Sequence, residues 1–221
     1  KRKEDVIRLI TEKDLMTEDL QRQIMACEKL TDVEDLYRPY KEKKKTKASE
    51  AIKMGLEPLA KKIMAFPTKG NLNDLAKEFP YDLEVSLTGA KYIISEWISD
   101  NAYYRKLIKN EIFFHGSIES KLKKNAKDER LVYKMYYDFS EPIRYAKHYR
   151  VLAMNRGEKE DVLAVSLSFG KDKILSLLEE KIIKNKDSFV VDEVKEALKD
   201  SLKRLIFPSV EREIRAELTE K

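Results

Sequence analysis

The sequence contains one cysteine, Cys27, so no internal disulfide can be drawn, and no signal-peptide pattern opens the chain. A reducing, cytoplasmic setting is expected. Histidine is almost as scarce: His115 and His148, with a single thiol, make no zinc-type ligand set of ordinary spacing. No metal or other cofactor is expected. The six glycines, Gly55, Gly70, Gly89, Gly116, Gly157 and Gly170, lie too far apart for a dinucleotide fingerprint or a phosphate-cradling loop. With only six prolines besides, the chain has too few turn residues for many short strands, which disfavours an all-β sandwich or barrel. Apolar runs stop at four residues, as at Val151 to Met154, against the ~20 needed to cross a bilayer. No membrane partner is expected.

Charge, by contrast, is abundant. Of 221 residues 38% are charged, where about 25% is usual, and 42% are hydrophobic, enough for a core under an ionic surface. The net charge of +5 is unevenly placed. From Arg38 to Lys62 there are nine basic residues against three acidic, and from Asn101 to Lys134 nine against four. The sequence opens at Lys1 rather than a Met and both ends lie in helix-like sequence, so a piece of a longer protein is expected.

Periodicity predicts a mainly all-α fold. Val6, Ile7 and Ile10, then Leu20, Ile24 and Cys27, recur at helical steps and predict an antiparallel pair broken around residues 14–17, with Cys27 as a small core hydrophobe. TDVE places Thr31 as a capping-box N-cap with Glu34, and Pro39 stops that helix. Two helices flank Gly55, a residue suited to a left-handed C-cap, with Pro58 in the first turn of the second. Asn71 caps a short helix, and residues 88–100 carry Trp97 as a core anchor. Residues 107–114 and 118–137 read as helices broken at Gly116, and Ser140 with Pro142 opens another running toward Gly157. Residues 162–168 alternate in polarity and give the one convincing strand, whose partner is expected to lie outside this chain. The stripe Val194, Leu198, Leu202, Leu205 ends in a helix that Pro208 should kink or break.

No nucleophile with a base and an orienter can be assembled, and Asp138 and Glu141 around Ser140 read as helix-start charge. The sharpest local signal is the run of Lys41, Lys43, Lys44, Lys45 and Lys47, preceded by Tyr37, Arg38 and Tyr40. Mobile cations suit phosphates and neighbouring rings can stack on bases, although a solvated loop has the same composition. Arg144, Lys147, Arg150 and Arg156, within a few helical turns of one another, form a second candidate.

LTDVEDLYRPYKEKKKTKASEAIKMGLEPLA (residues 30–60) resembles the Tex family of bacterial RNA-binding transcription accessory proteins, and further marks follow in family order. These are GAKYIISEWISDN, YYDFSEP, HYRVLAMNRGEKEDVLAVSL and RLIFPSVEREIRAELTE. The resemblance implies a helical N-terminal region, with residues 1–30 and 85–221 as its core and 31–84 as a small inserted helix-turn-helix-like module. It further implies absent RNase-H-like, helix-hairpin-helix and OB-fold domains. Lys43, Lys44 and Lys45 stand where the family commonly has Arg, which keeps a phosphate charge but loses the bidentate fork. The expected role is non-catalytic: weak, sequence-independent contact with RNA or DNA through Arg38, Lys41, Lys43, Lys44, Lys45, Lys47, Arg150 and Arg156, alongside transcription machinery. The alternative is a structural or protein-interaction scaffold with no nucleic-acid contact of its own.

Overall fold

The computed structural model describes residues 1–220, which are mainly α-helical with one small sheet. The chain divides into two compact units, Lys1–Lys106 with Leu175–Phe207, and Leu107–Ile174 with the residues from Pro208 onward. No helix among the described residues is long and apolar enough to cross a membrane.

The first unit begins with α1 (Arg2–Thr11), α2 (Glu18–Ala26) and α3 (Leu30–Tyr37). Val6, Ile10, Leu20, Ile24, Val33 and Tyr37 form their shared core, and Cys27 packs against it half-buried. Lys3 at the start of α1 donates to the Met25 carbonyl at the end of α2, 2.8 Å away, as antiparallel neighbours require. The expected Thr31 cap is not formed: α3 starts at Leu30, and Glu34 is held instead by Arg2 Nε at 2.6 Å. A three-residue 3-10 turn, Arg38–Tyr40, follows. Then come α4 (Lys47–Lys53), α5 (Glu57–Met64) and α6 (Leu72–Ala76). Gly55 takes φ +79°, Pro58 sits in the first turn of α5, and Asn71 closes a capping box with Asp74.

All three pack on α7 (Leu83–Asp100), the central helix of this unit. Gly89 lets α7 approach Leu56, because a Cβ there would collide with that side chain. Trp97 is only half-buried, and Ile93, Ile94 and Ile98 supply the core face. On its other side α7 meets α11 (Val191–Asp200), where Ser95 Oγ donates to the Ala197 carbonyl at 2.9 Å and Ser201 Oγ to the Ser95 carbonyl at 2.6 Å. Ahead of Pro208, Ser201–Ile206 winds as π-helix, so the expected break becomes a widened turn leading directly into α12 (Phe207–Glu220). The chain passes between the units within α8 (Ala102–His115) and α10 (Lys171–Ile182), and again at residues 207/208.

The second unit corrects three expectations. Residues 118–137 are not a helix: β1 (Ser117–Leu122) is followed by a loop and a 3-10 turn, Lys134–Tyr136. Ser140 is not an N-cap, because β2 (Asp138–Pro142) contains it opposite Glu119, and α9 (His148–Lys159) begins later behind Lys147. The strand at 162–168, resolved as β3 (Leu163–Ser168), is paired within the chain. Both neighbours run antiparallel to the central strand in the order β2-β1-β3, with Ile118 facing Glu141 on one side and Leu167 on the other. Val151, Met154 and Gly157 give α9 its buried face, with Leu163 of β3 seated over Gly157.

Candidate nucleic-acid interface

The basic loop after Tyr40 is held at both ends. Thr46 caps α4 by accepting from the Ser49 amide at 3.0 Å while Ser49 Oγ accepts from the Thr46 amide at 2.8 Å. The Thr46 hydroxyl also donates to Glu96 on α7, 3.1 Å away. At the other end Asp35 is buried beside Arg105 Nε at 3.1 Å, with the Arg38 guanidinium 3.7 Å from the same carboxylate. Arg105 is 0% exposed and donates further to the Ser99 carbonyl at 3.3 Å.

Between these ends the lysines do different things. Lys43 turns back onto α7, where its ammonium lies 2.9 Å from Glu96 and is paired with Asp100. Burial pushes the Asp100 carboxyl above its ordinary pKa, and Lys43 acts in the opposite sense. Lys47 lies 4.8 Å over the Tyr92 ring, a cation–π contact, and Lys45 stands 4.0 Å from Glu50. Lys41 and Lys44 are exposed with no carboxylate partner among the described residues. The rings expected to stack beside this run are not free for it: Tyr37 is 8% exposed within the core, and Tyr40 packs half-buried against it.

The basic island at residues 101–134 is engaged in part in the same way. Arg105 is a buried structural group of the first unit, while Lys109 pairs with Glu213 and Lys123 with Asp161 at 2.5 Å in the second. Long-range carboxylates, invisible to a local charge count, engage three of its nine cations, while Lys106, Lys121, Lys124, Lys127, Arg130 and Lys134 stay exposed.

In the second unit Arg150 is anchored by Glu141 at 2.8 Å, with its guanidinium carbon 5.8 Å from the Phe139 ring and 5.5 Å from Tyr149. The hydrogen bond to Glu141 holds Arg150 protonated more firmly than usual. Arg156 is exposed and without a carboxylate partner among the described residues. The structure adds two rings that the charge-based reading passed over. Tyr145 and Tyr149 are 62% and 63% exposed, and Arg144 lies 4.6 Å over Tyr145. Their signal was the adjacency of arginine and tyrosine at residues 144–145 and again at 149–150.

No cluster of three His, Cys, Asp or Glu side chains suited to a metal occurs among the described residues. What the geometry assembles is a pair of cation-bearing segments, one in each unit, on a mainly helical frame.

Comparison with known proteins gives that frame a family. Residues 71–221 match the Tex central region-like family, and the chain belongs to the Tex family. It is 49% identical to an uncharacterized protein, YdcI, of Bacillus subtilis over its whole length, which spans 32% of that relative. Over 77% of the chain it is 32% identical to the transcriptional accessory protein Tex of Neisseria gonorrhoeae, covering 23% of it. Over 99% it is 31% identical to the human S1 RNA-binding domain-containing protein 1, covering 24% of it. The chain therefore spans a third or less of these relatives.

Proposed function

We propose that this chain is a non-catalytic helical region of a transcription accessory protein, which touches RNA or DNA weakly and without sequence preference while scaffolding RNase-H-like and OB-fold domains elsewhere in the protein. The names of its relatives, a transcriptional accessory protein and an S1 RNA-binding domain-containing protein, support the setting. The observation that carries the reading is the division of labour in the basic loop. Lys43 and Thr46 fasten it to α7, and that fastening keeps Lys41 and Lys44 turned to solvent, where they can meet phosphates. Lysines without a bidentate fork favour backbone contact over base readout.

Duplex DNA offers a direct test. Each phosphate neutralised adds about 0.9 to the slope of log affinity against log salt, so replacing Lys41, Lys44 and Lys45 by Ala should flatten the slope by roughly 2 to 3. An unchanged slope removes the loop as the contact. The scaffold reading has its own support in Leu131, Val132 and Met135, which are 54%, 62% and 71% exposed and suit a protein surface. It predicts no retention of nucleic acid near physiological salt.

A further inference from the structure

Exposed rings grouped with unpaired cations on one short segment mark an interaction surface in a way that single exposed side chains do not. Tyr145 closes the 3-10 turn Ile143–Tyr145, and Tyr149 stands in the first turn of α9, so both are mounted on regular structure rather than on a loop. Tyr149, Leu152 and Arg156 are all exposed and follow one another at three- and four-residue spacing, which puts them along one face of α9. From Pro142 to Gly157 the sequence holds Arg144, Lys147, Arg150 and Arg156 and no acidic residue. Of these four only Arg150 has a carboxylate partner, Glu141; Arg144, Lys147 and Arg156 have none among the described residues.

Resting on the nucleic-acid reading above, we infer that Tyr145 and Tyr149 form a stacking platform for unpaired bases, with Arg144, Lys147 and Arg156 as cations for the same strand's phosphates. A base stacks on an exposed ring through its π-face, which every base presents, so the platform is indifferent to sequence. In a duplex those faces are covered by neighbouring pairs. The platform therefore selects single strands, whereas the lysine loop of the first unit offers only point charges and makes no such distinction. Glu141 and Phe139 hold the Arg150 guanidinium against the Tyr149 ring, which stiffens that ring before any base arrives.

The test uses the 221-residue chain with fluorescein-labelled U15, dT15 and a 15-base-pair duplex at fixed salt. Both single strands should bind more tightly than the duplex, and comparing U15 with dT15 distinguishes RNA from DNA as the preferred strand. Tyr145→Ala and Tyr149→Ala should each weaken single-strand binding on the order of tenfold and leave duplex binding unchanged. Tyr149→Phe, which keeps the ring, should restore it. A 5-bromouridine strand should photocrosslink within residues 144–156. Equal affinity for single strands and duplex, with both alanine variants unaffected, overturns the platform. It leaves the lysine-loop reading standing if Lys41, Lys44 and Lys45 still set the salt slope, and it makes this face a protein-docking surface. Absence of any nucleic-acid binding overturns both.

Discussion

Among the described residues Arg105 is the largest fully buried side chain, and its partner Asp35 is 4% exposed, so removing one charge of this ion pair leaves the other in a buried setting. Replacing Arg105 by Met keeps most of the volume while leaving the Asp35 carboxylate without its guanidinium. The Arg38 guanidinium, 3.7 Å from that carboxylate and about a third exposed, compensates only in part. Breaking a buried pair in this way costs about 3–5 kcal/mol, whereas replacing both partners by apolar groups is often neutral or stabilising. Arg105→Met should therefore destabilise the first unit by roughly 3 kcal/mol or more, and Asp35→Leu with Arg105→Met should recover most of the loss. In urea, at about 2 kcal/mol per molar, the single variant's midpoint falls by about 1.5 M or more. Trp97 is the sole tryptophan and lies in the first unit, so its fluorescence reports this transition separately from the second. A single variant within 1 kcal/mol of the parent would refute the reasoning, as would a double variant no more stable than the single. The pair adjoins the turn that starts the basic loop, so the single variant should also lower the salt slope of duplex binding.

Capping and titration give two further outcomes. Thr46→Ala removes a capping-box oxygen and the contact with Glu96, and thermal melts should record a loss of about 1 kcal/mol, whereas Thr31→Ala, whose hydroxyl caps nothing, should stay within about 0.5 kcal/mol. Equal losses at the two sites would contradict the observed helix starts. At the end of α11, burial works to raise the Asp200 carboxyl's pKa, but the hydrogen bond from Arg204 and the charges of Arg204 and Lys91 hold it below its ordinary 3.8. A depressed carboxylate contributes stability above its unfolded pKa and loses it as pH falls through the folded one. Asp200→Asn should thus cost about 0.2–1 kcal/mol at neutral pH, a value kept small because the pair is partly exposed, and converge with the parent below pH 3.8. A gap that persists in strong acid would show that the carboxylate's charge is not its source.

What the sequence made legible was local. Asn71 and Asp74, Gly55 and Pro58 act within a turn of themselves, and the structure uses each as its chemistry dictates. The misread segments failed where a distant partner decided the outcome. SIESKL alternates, with Ile118 and Ser120 inward, but six residues beside a helix-forming stretch give periodicity little to work with. Its strand identity is settled by β3, which lies in antiparallel register with every residue from Ser117 to Leu122. Thr31 has no capping box because α3 begins one residue earlier, behind Lys29, and Glu34 is bound by Arg2, 32 positions before it. Tyr37 was the avoidable misreading: Val33 and Tyr37 are four apart on the buried face of α3, a spacing that marks core before it marks a base-stacking ring.

The same contrast explains why the densest lysine run is not the freest cationic surface. A charge count treats each lysine alike, yet its availability depends on the nearest carboxylate in space. Among the described residues, Arg38, Lys43 and Lys45 in the first unit's six-cation segment have carboxylates within 4.0 Å, so half of that segment is already engaged. The stretch from Pro142 to Gly157 has fewer cations, but no acid of its own sequence to meet, and three of its four have no carboxylate among the described residues. Exposed tyrosines beside them add an attraction that salt does not screen, unlike the charges. The two surfaces should separate on a salt titration: binding through the loop collapses with ionic strength, while the single-strand preference set by the rings persists as the electrostatic part fades.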